Sequence, residues 1–160
     1  MSSDKVPVTQ AVRALKEQGV HFVLRPYKYE EKGGAAAAAR ELHVPEHQVI
    51  KTLVMEDEAG SPFLILMHGD RQVSTKALAR ALGVKSVSTC DPQKTGRHTG
   101  YMVGGISPFG TRKPLRVYIE ASILPLPVIY INAGKRGLLA EMSPGDLARI
   151  LKPTPVNVSV

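Results

Sequence analysis

At 160 residues with a single cysteine, the chain is long enough for one domain, residues 1–160, that buries roughly two thirds of its unfolded surface, and it cannot close an internal disulfide. An excess of 21 Lys and Arg over 14 Asp and Glu gives a formal charge of +7, which either draws polyanions such as nucleic acid or serves solubility alone. With no Trp, three Phe and five Tyr there is no aromatic platform for stacking single strands, and no apolar run nears the ~20 residues that span a bilayer.

The opening MSSDKVPVTQ lacks the apolar centre of a signal peptide, so the expectation is a soluble, cytoplasmic protein. Val8, Ala11, Val12 and Leu15 recur at helical spacing and stop at Gly19, predicting a first helix. HFVLRPYKY then reads as a strand, and AAAAARELHV as a helix ending before Pro45. QVIKTLVMEDEAGSPFLILMHGD predicts a hairpin whose second strand is apolar on both faces and lies at the centre of the sheet.

Ser74 or Thr75 caps a third helix, KALARAL, closed by Gly83, and SVST offers a short strand. DPQKTGRHTG reads as a polar turn region. Two further strands are expected in LRVYIEAS and VIYIN, with the proline-interrupted ILPLP between them, and Ser143, Pro144 and Asp146 start a last helix. Helices and strands interleave irregularly, which fits an α/β domain on a mixed sheet.

Five histidines and Cys90 show no metal-ligand spacing; His43 and His47 are four apart, but Pro45 lies between them. Cys90 has no histidine close in sequence and reads as a semi-buried thiol. GGISPFGTRK does not match the phosphate loop of nucleotide hydrolases, because Thr111 and Arg112 precede Lys113.

Three features remain. Lys51 stands in the apolar strand VIKTLV, where the plain alternative is an edge lysine in solvent. Gly104 and Gly105, followed by Pro108, permit a ligand close to the main chain or make a tight turn. Asn132 to Gly137 again ends a strand with small residues and presents Lys135 with Arg136.

VIKTLV, TGYMVGGISPFG, and INAGKRGL with MSPGDLARIL behind it resemble, in order, the motifs of the YbaK/EbsC deacylases, relatives of the editing domain of bacterial prolyl-tRNA synthetases. The likeness runs from about residue 7 to 152 and is nearest the Cys-tRNA(Pro) branch, where GYxVGGISPxG and GKRG occur together. It implies a mixed, largely antiparallel, barrel-like sheet flanked by helices. It also implies removal of cysteine from Cys-tRNA(Pro), and from Cys-tRNA(Cys) if the domain sees only the acceptor end, by attack of the substrate's thiol on its own ester to give a thiolactone. No cofactor or metal is implied. The partners are the tRNA(Pro) acceptor end and prolyl-tRNA synthetase.

Carried onto this chain, the resemblance assigns catalysis to Lys51, Gly105, Ile106 and Ser107, and substrate binding to Tyr27, Gly104, Pro108, Asn132, Ala133, Gly134 and Lys135. Arg112, Lys113 and Arg136 are expected further out, attracting tRNA by screened charge. The glycine loops are expected to face each other across one pocket, with glycine at 104, 105 and 134 because a Cβ would fill the ester's volume or force the amide donors out of line. One departure is that GGAAAAARE offers no acid after the glycines, where family members often carry one. Alternatives are an Ala-tRNA(Pro) deacylase, a non-catalytic tRNA- or synthetase-binding module, and a small-ligand binder with Lys51 turned from an apolar pocket.

Overall fold

A computed structural model describes residues 8–160. Helix α1 spans Gln10–Glu17, with the Thr9 hydroxyl accepting from the Val12 amide and burying Ala11, Val12 and Leu15. Val8, expected on that apolar stripe, lies before the cap and is 66% exposed. Strand β1 (Val23–Pro26) and helix α2 (Gly34–Leu42) follow, the latter packing Ala37, Ala38 and Ala39 inward.

The hairpin of β2 (Val49–Asp57) and β3 (Pro62–His68) lies in the middle of the sheet as the apolar pattern requires, and Phe63 through His68 are all buried. Asp57 closes its turn by accepting from the Ala59 and Ser61 amides. Ser74 caps α3 (Thr75–Leu82), and β4 (Val87–Thr89) pairs with the far end of β2.

The polar turn expected at DPQKTGRHTG is instead a helix, α4 (Pro92–Thr99). Asp91 caps it through the Lys94 amide, proline occupies its first turn, and Thr95 and Thr99 are its buried face. Strands β5 (Arg116–Glu120) and β6 (Ile129–Lys135) appear as predicted, separated by a 3-10 turn over Ala121–Ile123. Strand β7 (Leu138–Met142) then turns back on β6, α5 (Pro144–Leu151) is capped by Ser143, and β8 (Thr154–Val156) closes the order.

Among the described residues, eight strands form one mixed sheet, β1-β7-β6-β2-β3-β5-β8, with β4 beside β2 and five helices around it. Pairs β1–β7, β2–β3, β2–β4 and β6–β7 are antiparallel, whereas β2–β6, β3–β5 and β5–β8 are parallel. The largest core cluster joins α1, β6, β7 and α5 with Tyr101 and Phe109 of the glycine loop. The loop is therefore seated on core rather than suspended over it.

At the end of β3, the fully buried His68 donates from Nδ1 to the His47 carbonyl and accepts at Nε2 from the Ser122 hydroxyl. Burial is the main cause of its lowered pKa, so the folded state prefers neutral imidazole. A folded value below the unfolded 6.5 means that the unfolded chain binds more protons, so His68 contributes stability fully above pH 6.5 and loses it as pH falls toward the folded value. Urea titrations should show unfolding free energy declining below pH 6.5. His68→Gln should reduce that slope, leaving the share from His98, whose pKa burial also lowers.

Candidate active site

Strand β2 changes partners along one edge. It pairs with β6 at Val49↔Tyr130 and Ile50↔Ile131, and with β4 only from Met55 onward. Strand β6 turns away through a bulge between Asn132 and Lys135. Into this opening fits a pocket of about 490 Å³ whose walls include Tyr27, Tyr29, Lys51, Thr52, Gly104, Ile106, Asn132 and Arg136.

Lys51 is half-buried on that wall, and its Nζ donates to the Arg71 carbonyl at 2.5 Å. Burial lowers its pKa, an effect that Glu46 and Asp70 partly offset. Tyr27 has its phenol pushed up by burial, against a smaller lowering from hydrogen bonding to the Gly137 backbone.

The two glycine loops touch each other directly. Asn132 Nδ2 donates to the Gly104 carbonyl at 3.3 Å and to the Lys135 carbonyl at 3.1 Å, while its Oδ1 accepts from the Gly134 and Lys135 amides. Arg136 Nε donates to the Val103 carbonyl at 2.9 Å, and its guanidinium lies 5.1 Å from the Tyr29 ring centre. Arg136 is therefore a wall of the pocket and not a distant steering charge.

This contact gives the glycines a packing reason. A Cβ on Gly105 would come within 2.8 Å of the Arg136 backbone nitrogen, and one on Gly104, where φ is +93°, within 2.6 Å of the Tyr29 hydroxyl. At Gly134 it would meet the Tyr101 ring at 2.9 Å and Thr9 at 3.2 Å. At Gly105 and Gly134 a Cβ is excluded by the facing loop, the Tyr101 ring and the α1 cap, whereas at Gly104 it would meet the pocket side chains Tyr29 and Arg136.

Of the residues expected at the site, Tyr27, Lys51, Gly104, Ile106, Asn132 and Arg136 share the pocket. Ser107 is wholly buried, and its hydroxyl accepts from the Phe109 amide. Gly105 spends its amide on the Met102 carbonyl, and Pro108 and Ala133 are buried behind the wall. Lys135 is exposed beside the loop, and Arg112 and Lys113 lie exposed beyond α4, their amides bonded to Thr99 and His98. Tyr101 anchors the loop from below by donating to the Phe109 carbonyl, and burial pushes its phenol up to about 12.

Sequence reading missed Tyr29, Thr52, Glu30 and Glu31, which also line the pocket. Only Tyr29 left a trace, as the second aromatic of YKY. Cys90 lies in a small cluster with Val54 and Leu64, its thiol pushed up by burial first.

His47, His68 and Asp70 bring three potential ligand atoms within 4.8 Å of one another, a convergence hidden from the sequence. The two rings stack at 3.7 Å and 7°, so their in-plane lone pairs run side by side rather than meeting, and both His68 nitrogens already have partners. The trio braces the end of the hairpin.

The sheet order and the pocket between a strand lysine and two interlocked glycine loops define an editing-type domain. Residues 30–150 match the aminoacyl-tRNA editing domain model, and the chain belongs to that family. It is 29% identical over 139 residues to a protein of Enterococcus faecalis named "Putative Cys-tRNA(Pro)/Cys-tRNA(Cys) deacylase EbsC", covering 85% of this chain and 84% of that one. It is also 30% identical over 86 residues to the proline–tRNA ligase of Brachyspira hyodysenteriae, covering 54% of this chain but only 15% of the ligase. The crystal structure of "a putative trans-editing enzyme for prolyl tRNA synthetase" superposes with a TM-score of 0.83 at 23% identity, covering 97% of this chain and 99% of that one, and so shares its fold. Among the described residues no helix is long and apolar enough to cross a membrane.

Gly105→Ala tests the loop contact. Forcing a methyl against the Lys135–Arg136 backbone should destabilise by about 1–3 kcal/mol, lowering Tm by several degrees in a thermal melt. An unchanged Tm would return the glycine to a role in making room for a ligand.

Proposed function

We propose that the protein is a free-standing aminoacyl-tRNA deacylase that removes cysteine from Cys-tRNA(Pro). The observation that carries the reading is the pocket itself, where a half-buried lysine and a glycine-bearing loop meet at an open strand edge in a chain of the editing family. Likeness to the Enterococcus protein over most of both chains supports cysteine as the amino acid removed.

On this reading the acceptor end enters the opening beside β2, with the ester against Gly104 and Ile106 and Lys51 released to a phosphate or ribose oxygen. Since Gly105 spends its amide on Met102, the wall's amides at Gly104 and Ile106 are the ones that would meet a developing oxyanion. The substrate's sulfur bonds to its own carbonyl carbon, the ester C–O bond breaks, and the thiol proton ends on the ribose oxygen, leaving a thiolactone and free tRNA. Cysteine and proline are close in size, so a synthetase pocket sorts them poorly and a second site must use another property, here the thiol. The related segment within proline–tRNA ligases supports a role beside that synthetase, which would choose the tRNA.

Purified protein should release cysteine from Cys-tRNA(Pro) and spare Pro-tRNA(Pro). Clearing only Ala-tRNA(Pro) would assign it to the alanine branch, and binding tRNA without cleaving any ester would make it a non-catalytic module. Lys51→Ala should fold normally and lose about ten- to a hundredfold in activity, the scale of one charge-assisted hydrogen bond. Cysteinyl-tRNA methylated on sulfur should resist; rapid cleavage would replace the thiol with water as nucleophile.

A further inference from the structure

Lys51 has a seat without a counter-ion in contact. Its Nζ rests on a neutral oxygen, the Arg71 carbonyl, and among the described residues it stands in no ion pair. A carboxylate is nevertheless at hand, because Asp70 immediately precedes Arg71 and its charge acts on Lys51. A carboxylate outcompetes a carbonyl for an ammonium, so another group must keep Asp70 occupied.

That group is His47, in the 3-10 turn Glu46–Gln48 that leads into β2. It donates from Nδ1 to Asp70 Oδ1 at 2.9 Å. The ring is aimed by what lies under it: it stacks at 3.7 Å on His68, which is buried and fixed at both nitrogens by the His47 carbonyl and the Ser122 hydroxyl. The turn carrying Asp70 is fixed as well. The Gly69 amide donates to the Val49 carbonyl, the Arg71 amide to the His68 carbonyl and the Gln72 amide to the Val160 carbonyl. A Cβ on Gly69 would lie 2.8 Å from the Glu46 and Val49 carbonyl oxygens, so this turn is pressed against the start of the strand that bears Lys51. With the backbone held, the Asp70 side chain alone can change partner.

Building on the deacylase reading, in which Lys51 leaves its seat for an oxygen of the acceptor end, we infer that His47 is a positioning residue for Lys51: by holding the Asp70 carboxylate, it keeps the lysine on a neutral carbonyl from which an incoming phosphate can draw it. An Asp70–Lys51 ion pair would instead set the substrate against a charged competitor, since carboxylate and phosphate both offer charge-assisted bonds. Glu46 also acts on Lys51, more strongly than Asp70. It takes no part in the His47–Asp70 bond, and the variants below leave it unchanged.

The test is a suppressor pair. His47→Phe keeps a flat ring on His68 but cannot hold Asp70, and Asp70→Asn removes the charge that would be let loose. In protein isotope-labelled at the lysine ε-carbons, with the Lys51 signal identified by its loss in Lys51→Arg, NMR should show Lys51 titrating at higher pH in His47→Phe than in wild type, because a freed carboxylate beside it favours the ammonium. With Cys-tRNA(Pro), the same variant should raise KM about fivefold, the upper end for a partly exposed ion pair, at nearly unchanged kcat. Adding Asp70→Asn should return KM to the wild-type value and bring the titration back to the wild-type pH or below it. A histidine that merely braces the fold would leave a defect that the second substitution does not repair. An unmoved Lys51 titration in His47→Phe, or a KM defect that persists with Asp70→Asn, overturns the inference; His47→Ala takes the place of the phenylalanine variant if that one does not fold. Wild type that cleaves no charged tRNA sinks the deacylase reading alone, because the Lys51 titration needs no substrate and still decides whether His47 withholds Asp70.

Discussion

One carboxamide holds the site together. Asn132 sits where β6 bulges, and its donor and acceptor ends reach the Gly104 and Lys135 carbonyls and the Gly134 and Lys135 amides. Two segments nearly thirty residues apart in sequence are thereby fixed as one surface, with Arg136 adding a second bond to Val103. Without that fastening the bulge would relax and the wall beside Ile106 would lose its backing. The bulge re-aims the chain at a sheet rim, as bulges commonly do.

The same departure of β6 leaves β2 with an unpaired stretch inside the fold. Sheets normally cover or pair such an edge, and here the cover is incomplete because β4 joins only at Met55. The result is a pocket that wraps around a strand edge, so residues from both faces of β2 line it: Lys51 from one, Thr52 from the other. A pocket on a single sheet face could not present both.

Much of this was legible in the residues. The central hairpin announced itself by its apolar run, and the caps at Ser74 and Ser143 by their hydroxyls. Helix α4 was not, because Gly96 and a row of polar residues hide a face made of two threonines, and only Asp91 with Pro92 marks its start. Strand β7 was absorbed into the small-residue loop ahead of it, since the turn from β6 takes just Arg136 and Gly137. Lys51 and the glycine loops stood out because cations and bare backbone contrast with apolar neighbours. Thr52 did not, because threonine is ordinary in a strand. For the glycines, sequence shows that a Cβ is excluded, but not which atoms exclude it.

The bond from Lys51 to the Arg71 carbonyl has a consequence for selectivity. A tethered ammonium is already satisfied by a neutral oxygen, so an uncharged visitor offering another hydroxyl or carbonyl gains nothing by pulling it loose. A phosphate or a carbonyl oxygen acquiring full negative charge competes on different terms, since charge-assisted bonds are roughly twice as strong as neutral ones. The tether thus sets a bias: a ribose hydroxyl replaces the Arg71 carbonyl only at even exchange, whereas an anion draws the lysine in with a net gain.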